Sequence, residues 1–291
     1  MRLTGISPES GGTGLTVQTA LANPSTRPGL RLPGRVNLIA GAVDVPVLHV
    51  RLGLVSSVEP DDPEAPRRLV QFHQAQVADA LVLRAGRARS IPFEFPLPWE
   101  TPVTTYGGVP LLSLRMGLRT EVAIDPALDQ GAMVPIFVHP LPTQQHVLAA
   151  LDTLGFSVRQ SGLVDGRLPG VEQALPLHQR WGFWVGPLYA GPITELEVIF
   201  VANSAGLEVI LWCDRRLALA GITHTSISRF RIWHVGADQR DWISVVDGWL
   251  RETINRHAAA AAQADWSATI SESAHVSRPP DRPIAPGFGL G

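Results

Sequence analysis

The sequence predicts a mainly β protein, built as two β-sandwich domains joined by a short helix, with a further helix near the C-terminus. Three observations carry this. The chain has 291 residues, which at ~150 per domain is about two. Its 27 glycines and 25 prolines separate short segments in which apolar residues recur at every second position, the period of a half-buried strand. Helical spacing replaces that period clearly in two stretches, Pro140–Phe156 and Arg240–His257.

After a lead-in over 1–12 expected to be flexible, strand patterning fills 13–139. It is clearest over Ser90–Trp99, where Ile91, Phe93, Phe95 and Leu97 share one face and Pro92, Pro96 and Pro98 fall on the other. Proline at that density cannot donate to a central ladder, so this is an edge or bulged strand. His49–Leu54 alternates in the same way, as do Leu112, Leu114, Met116 and Leu118. Further strands are expected near Gly14–Ala20, Arg35–Ala40, Arg67–Val82 and Ala132–His139, with turns over Asn23–Gly34 and Glu59–Pro66. Short antiparallel segments without helical period argue for a sandwich, because two half-apolar sheets must cover each other.

The linking helix, set at 140–160, places Val147, Leu148, Leu151 and Leu154 on one stripe, with Thr143 as its expected N-cap and Gly155 as its stop. A β-rich domain over 161–260 follows. Thr194–Val201 and Leu207–Asp214 form a hairpin through Asn203, Ser204, Ala205 and Gly206. Leu207, Val209, Leu211 and Cys213 share a face, which makes the thiol a small core residue. Ile227–Val235 alternates again, and the terminal helix carries Trp242, Val245, Val246 and Trp249 as its apolar stripe. The tail over 261–291, rich in Ser, Pro and Gly, is expected to be disordered.

Composition excludes several chemistries. All 24 cationic residues are arginine, against 26 acidic ones, for a net charge of −2. Without lysine there is no Schiff base, no P-loop or kinase lysine and no serine–lysine dyad. The even spread of charge makes nucleic acid an unfavoured partner. The single cysteine, Cys213, allows neither an intrachain disulfide nor a cysteine-rich zinc site and fits a reducing compartment. No apolar run approaches the ~20 residues of a membrane span, so a soluble, cytoplasmic protein is expected.

Catalytic signatures are missing as well. Gly11, Gly12 and Gly14 precede the first strand and so do not sit between strand and helix as a phosphate loop does. Glu195 and Glu197 lie on one strand face, about 7 Å apart by strand rise, and are expected to be a solvated face rather than an acid/base pair. His139 and His146 flank a proline-rich corner as boundary residues. His224 and His234 beside Asp214 form the best metal-type grouping, provided neighbouring strands bring them together. Arg215 and Arg216, directly after Asp214, are the most interesting charges, since adjacent guanidiniums can make bidentate contacts to carboxylates; an internal salt bridge is the equal alternative. Among the tryptophans of the second half, Trp242 and Trp249 are candidates for a partner-binding patch.

Four stretches follow one another along the chain: IPFEFPLPWETPVTT (Ile91–Thr105), LRMGLRTEVAIDPALDQ (Leu114–Gln130), VHPLP with LAALDTLGF (Val138–Phe156), and ITELEVIF followed by GLEVILWCDRR (Ile193–Arg216). These motifs and their order resemble the bacterial sporulation-control proteins of the SpoOM type. The resemblance implies an arrestin-like fold and a cytoplasmic, non-catalytic protein that acts through protein contacts in developmental or cell-cycle control. It brings no catalytic residue, cofactor or ligand site. The expectation is therefore a regulatory scaffold whose partners are other proteins, with Asp214, Arg215, Arg216, Trp242 and Trp249 as candidate surface and self-association through the Trp242–Trp249 helix compatible with it. The alternative is a small-ligand or metal-binding module, enzymatic or not, using His224, His234 and Asp214.

Overall fold

The computed structural model describes residues 14–60, 66–124, 127–130, 133–191, 193–217 and 222–256, with the side chains of 127–130, 214–217 and 222–226 outside that description. The expected lead-in and tail thus fall outside the described residues. The first half runs through β1 (Leu15–Leu21), β2 (Ser25–Thr26), β3 (Arg31–Ala40), β4 (Val45–Val58), β5 (Arg68–Ala78), β6 (Leu81–Leu83), β7 (Ala88–Pro96), β8 (Thr105–Tyr106), β9 (Val109–Pro110), β10 (Met116–Ile124), β11 (Ala127–Gln130), β12 (Val134–Pro135) and β13 (Phe137–Val138). One sheet has the order β1-β3-β7 and the other β11-β10-β4-β5, with β6 on β4 and β12 on β10.

Alternation explains why these sheets face each other. Leu32, Val36 and Leu38 of β3 meet Val50, Leu52 and Leu54 of β4 and Leu118 and Val122 of β10 in one core. Among the described residues β7 pairs only with β3, so its Pro92 and Pro96 sit on an edge as their missing amides require, while Ile91, Phe93 and Phe95 point inward. The expected segment around Leu112 is shorter than its alternation suggests: Leu112 is exposed and the strand begins at Met116.

The second half is also strand-dominated, and here one finer expectation changes. After α1 (Pro142–Thr153) come β14 (Ser157–Asp165), β15 (Leu177–Trp184), β16 (Glu195–Ala202), β17 (Gly206–Leu217) and β18 (Ile222–Trp233), then a 3-10 turn at Ala237–Gln239 and a helix, α2, over 242–256. The five strands form a single sheet in that order. Its second layer is helical, so the second β-sandwich expected from sequence is realised as a sheet under two helices. Val147, Leu148 and Leu151 of α1 and Val246, Leu250 and Ile254 of α2 share a core with Trp181, Leu196, Val198, Val209, Leu211 and Cys213. The linking helix is therefore part of this core as well as a connection. Thr143 does not cap it. Leu141 is the N-cap, its N–H donates to Gln144 Oε1 at 2.8 Å, and Thr143 Oγ1 instead bonds His234 Nδ1 at 3.1 Å. Gly155, at φ 88, ends the helix as expected.

The halves are closely joined. Leu163, Leu175 and Leu177 belong to the first core, and Val103 belongs to the second. The buried Gln179 side chain accepts from the Val103 N–H and donates to the Val103 carbonyl and to Ser161 Oγ, each at 2.8 Å. Glu100 accepts from the Ala174 and Leu175 N–H groups at 2.7 and 2.8 Å, and Arg68 pairs with Asp165.

Candidate partner-binding surface

The five-stranded sheet has one face under the helices and one turned away from them. On the latter, the loop over 166–176 covers only part: Leu168 and Val171 pack on Ile199, Val201 and Ile210, and Arg229 holds the loop through the Pro169 and Gly170 carbonyls. Beyond it the register aligns Gly182, Glu197, Trp212 and Ile227 in a row across four strands. Along that row Ile227 is exposed, Glu197 and Trp212 are half-buried and Gly182 is buried.

A bulge builds the centre of this region. Val158 pairs with Phe183 and Gln160 with Gly182, so Arg159 is the extra residue of β14 and is turned onto the outer face. A Cβ at Gly182 would lie 3.2 Å from Gln160 Cγ and in ordinary contact, 3.5 Å, with an Arg159 guanidinium nitrogen, so Arg159 passes directly over this glycine. Its Nη1 donates to Glu195 at 3.3 Å and its Cζ lies 5.4 Å from the centroid of Trp184, which is 60% exposed. The Arg159 Nε is buried without an acceptor. Arg180 pairs with Glu197 at 3.5 Å. Glu195 and Glu197 are thus ion-paired to separate arginines on the strand face expected for them.

The remaining candidates fall elsewhere. Asp214, Arg215 and Arg216 lie within β17, which continues to Leu217, with Asp214 opposite Glu195 and Arg215 opposite His224; their side chains are outside the description. The grouping of His224 with His234 is overturned by the same register. They stand ten positions apart along one strand direction, about 33 Å at strand rise. His234 is held structurally, by Thr143, by Nε2–H donation to the Asn203 carbonyl at 2.9 Å and by stacking on Trp99 at 5.6 Å. His139 bonds Thr105 Oγ1 at 2.8 Å, and His146 meets Asp238 at 3.0 Å.

Trp242 is buried, donates its indole N–H to the Ala237 carbonyl at 2.8 Å and stacks on His146; Trp249 stacks on Phe230 at 4.8 Å. Both hold α2 on the sheet, so a partner reaches Trp242 only if the helix moves. The exposed tryptophans among the described residues are instead Trp184 and Trp233. The sequence carried a signal for them: each is out of phase with its strand's buried residues, Trp181 and Phe183 in one case and Ile232 in the other. Cys213 is buried on the helix-covered face, and burial pushes its thiol up to about 12.

Comparison with known proteins adds the family. The model described as SpoOM protein matches residues 9–217. The chain belongs to the SpoOM protein family. The match runs from the first sheet pair through β17 and stops before β18 and α2. Among SpoOM relatives, the sporulation-control protein spo0M of Bacillus subtilis (strain 168) is 28% identical over 202 residues, 69% of this chain and 75% of that protein. The crystal structure of Spo0M from Bacillus subtilis superposes with a TM-score of 0.70 and 23% identity over 84% of this chain and 99% of that one. The SpoOM fold is thus the mainly β, arrestin-like one expected from the sequence. No helix among the described residues is long and apolar enough to cross a membrane.

Proposed function

We propose that this SpoOM protein is a non-catalytic regulator that works in the cytoplasm by binding other proteins, and that the open face around Trp184 is its docking surface. The observation that carries the reading is the Trp184–Arg159–Glu195 arrangement: an exposed indole held by a guanidinium whose Nε is buried and still lacks an acceptor. Tryptophan and arginine dominate interface energetics because each couples a large apolar area to directional hydrogen bonding. The Arg159 side chain is 24% exposed, so a partner carboxylate can meet the outer edge of its guanidinium beside the exposed indole. Control of sporulation or a related process enters from the named relative.

Affinity capture from the native host tests this, with wild type compared against Trp184→Ala, Arg159→Gln and Arg215→Ala/Arg216→Ala, each checked for folding by circular dichroism. A partner retained by wild type is expected to bind about 30-fold more weakly to Trp184→Ala, the size of a hot-spot loss. Equal retention of every partner by Trp184→Ala and Arg159→Gln removes this face from the proposal. Loss confined to the Arg215→Ala/Arg216→Ala protein moves the surface to that end of β17.

A further inference from the structure

The end of the first sheet pair that carries the β3–β4 and β6–β7 turns combines exposed aliphatic side chains with unpaired cations. The two turns are fixed side by side. The Gly86 N–H donates to the Gly41 carbonyl at 2.7 Å and the Ala40 N–H to the Arg87 carbonyl at 3.0 Å. Asp44 ties them further, accepting from the Ala85 N–H at 2.8 Å and from Arg84 at 2.6 Å. This tip is a braced element of the fold.

Four large aliphatic residues surround it: Val43 is 61% exposed, Val82 55%, Leu48 50% and Ile39 39%. They do not share a face. Ile39 is on the outer side of β3, out of phase with the buried Leu38 and Ala40. Leu48 is left unpaired by a bulge, since β10 pairs Ile124 with Val47 and Ala123 with His49. Val82 stands on β6 opposite Pro46, and Val43 is in the turn itself. Arg84, Arg87 and Arg89 are all exposed, and the one carboxylate bonded to this group, Asp44, is taken by Arg84. Arg87 and Arg89 have no acidic partner among the described residues.

We propose that this tip docks onto an anionic lipid surface, with Val43, Val82, Leu48 and Ile39 entering the headgroup boundary and the arginines meeting lipid phosphates. The occupant follows from the distribution. A protein partner presses on one face, whereas a bilayer receives a tip from all sides, and exposed apolar side chains beside a run of unpaired arginines on the β6–β7 turn are what the anionic interface attracts. The tip is separate from the Trp184 face, so membrane attachment leaves that surface free.

The test uses the full chain. Cys213 is the single cysteine and is buried, so Val43→Cys supplies one reactive thiol for an environment-sensitive fluorophore. Labelled protein is mixed with vesicles of phosphatidylcholine alone or containing phosphatidylglycerol. A blue shift with the anionic vesicles only, and none from the same dye at Leu112→Cys, is expected. In co-sedimentation, Arg87→Ser/Arg89→Ser should weaken binding about 25-fold, at about five-fold per arginine. Both substituted side chains are exposed, so near-UV circular dichroism should be unchanged. No shift at Val43→Cys, an equal shift at Leu112→Cys, or unchanged sedimentation of the double variant overturns the proposal. So does a shift produced by a lipid-free protein fraction and not by vesicles, which would make the tip a protein site.

Discussion

In the first half of the molecule a sheet is covered by a sheet, whereas in the second a sheet is covered on one side by two helices and on the other by part of a loop. The first arrangement uses up both inner faces and leaves edges to manage, which Pro92 and Pro96 do on β7. The second leaves an outer face with no second layer, and that is where Trp184, Trp233 and Ile227 are exposed. The difference teaches where to look for function. The sandwich half exposes aliphatic side chains, Ile39, Val43, Leu48 and Val82 among them, whereas the two exposed tryptophans of the described residues belong to the half-covered sheet.

The comparison is broken if the halves are separately stable units, and core truncations decide this. Trp181 and Phe95 are among the largest fully buried side chains, one in each core. Trp181→Ala and Phe95→Ala should each cost about 3–5 kcal/mol. Because Leu163, Leu175 and Leu177 lie in the first core and Val103 in the second, each variant should lower one shared calorimetric transition. Two resolved transitions, with only one displaced by each variant, would mean that the cores are energetically independent.

The hydrogen bonds of Gln179 offer a sharper test at smaller cost. Gln179→Leu keeps the volume but leaves the buried Val103 N–H and carbonyl without that partner. The loss should be about 1–3 kcal/mol. Its signature is loss of cooperativity: urea unfolding followed by tryptophan fluorescence, which is weighted to the second half, should separate from unfolding followed by far-UV circular dichroism. Coincident curves would assign the coupling to the shared apolar contacts instead.

The same contrast explains what the sequence made legible. Period-two alternation named Val50, Leu52 and Leu54 of β4, Ile91, Phe93 and Phe95 of β7 and Leu207, Val209, Leu211 and Cys213 of β17, all of them buried, because an alternating strand turns its apolar face to the core. It could not name the second layer over β14–β18. Apolar stripes on α1 and α2 report that each helix is covered, not by what. Trp242 and Trp249 illustrate this: as the widest residues on a helical stripe they suggest a surface, yet they fill the gap between α2 and the sheet. Arg159 was hidden for a different reason. Its placement depends on a bulge, and a one-residue insertion erases the alternation that would have assigned its face. The separation of His224 from His234 required the hairpin register, which composition does not contain.

The smallest expected effect concerns pH and again sets the halves against each other. His73, at the seam between β5 and β7, packs edge-on against Phe95 at 5.5 Å, and its Nε2 is buried without a partner. Burial lowers its pKa, with a hydrogen bond to the Pro96 carbonyl opposing the shift. The native state therefore binds fewer protons than the unfolded chain, whose imidazole titrates near ~6.5. The stability involved is complete above that value and is lost as pH falls through it toward the lower native pKa. His178 in the second half is lowered too, by burial first and the Arg180 charge last, against a bond to the Gly166 carbonyl. Asp44, Asp241 and Asp247 lie below the usual carboxylate range and do not titrate in this window. The melting temperature should fall by about 1–4 °C between pH 7 and about 5.5, and His73→Phe should reduce that slope. If His178→Phe flattens it instead, the acid-sensitive element belongs to the half-covered sheet and not to the sandwich.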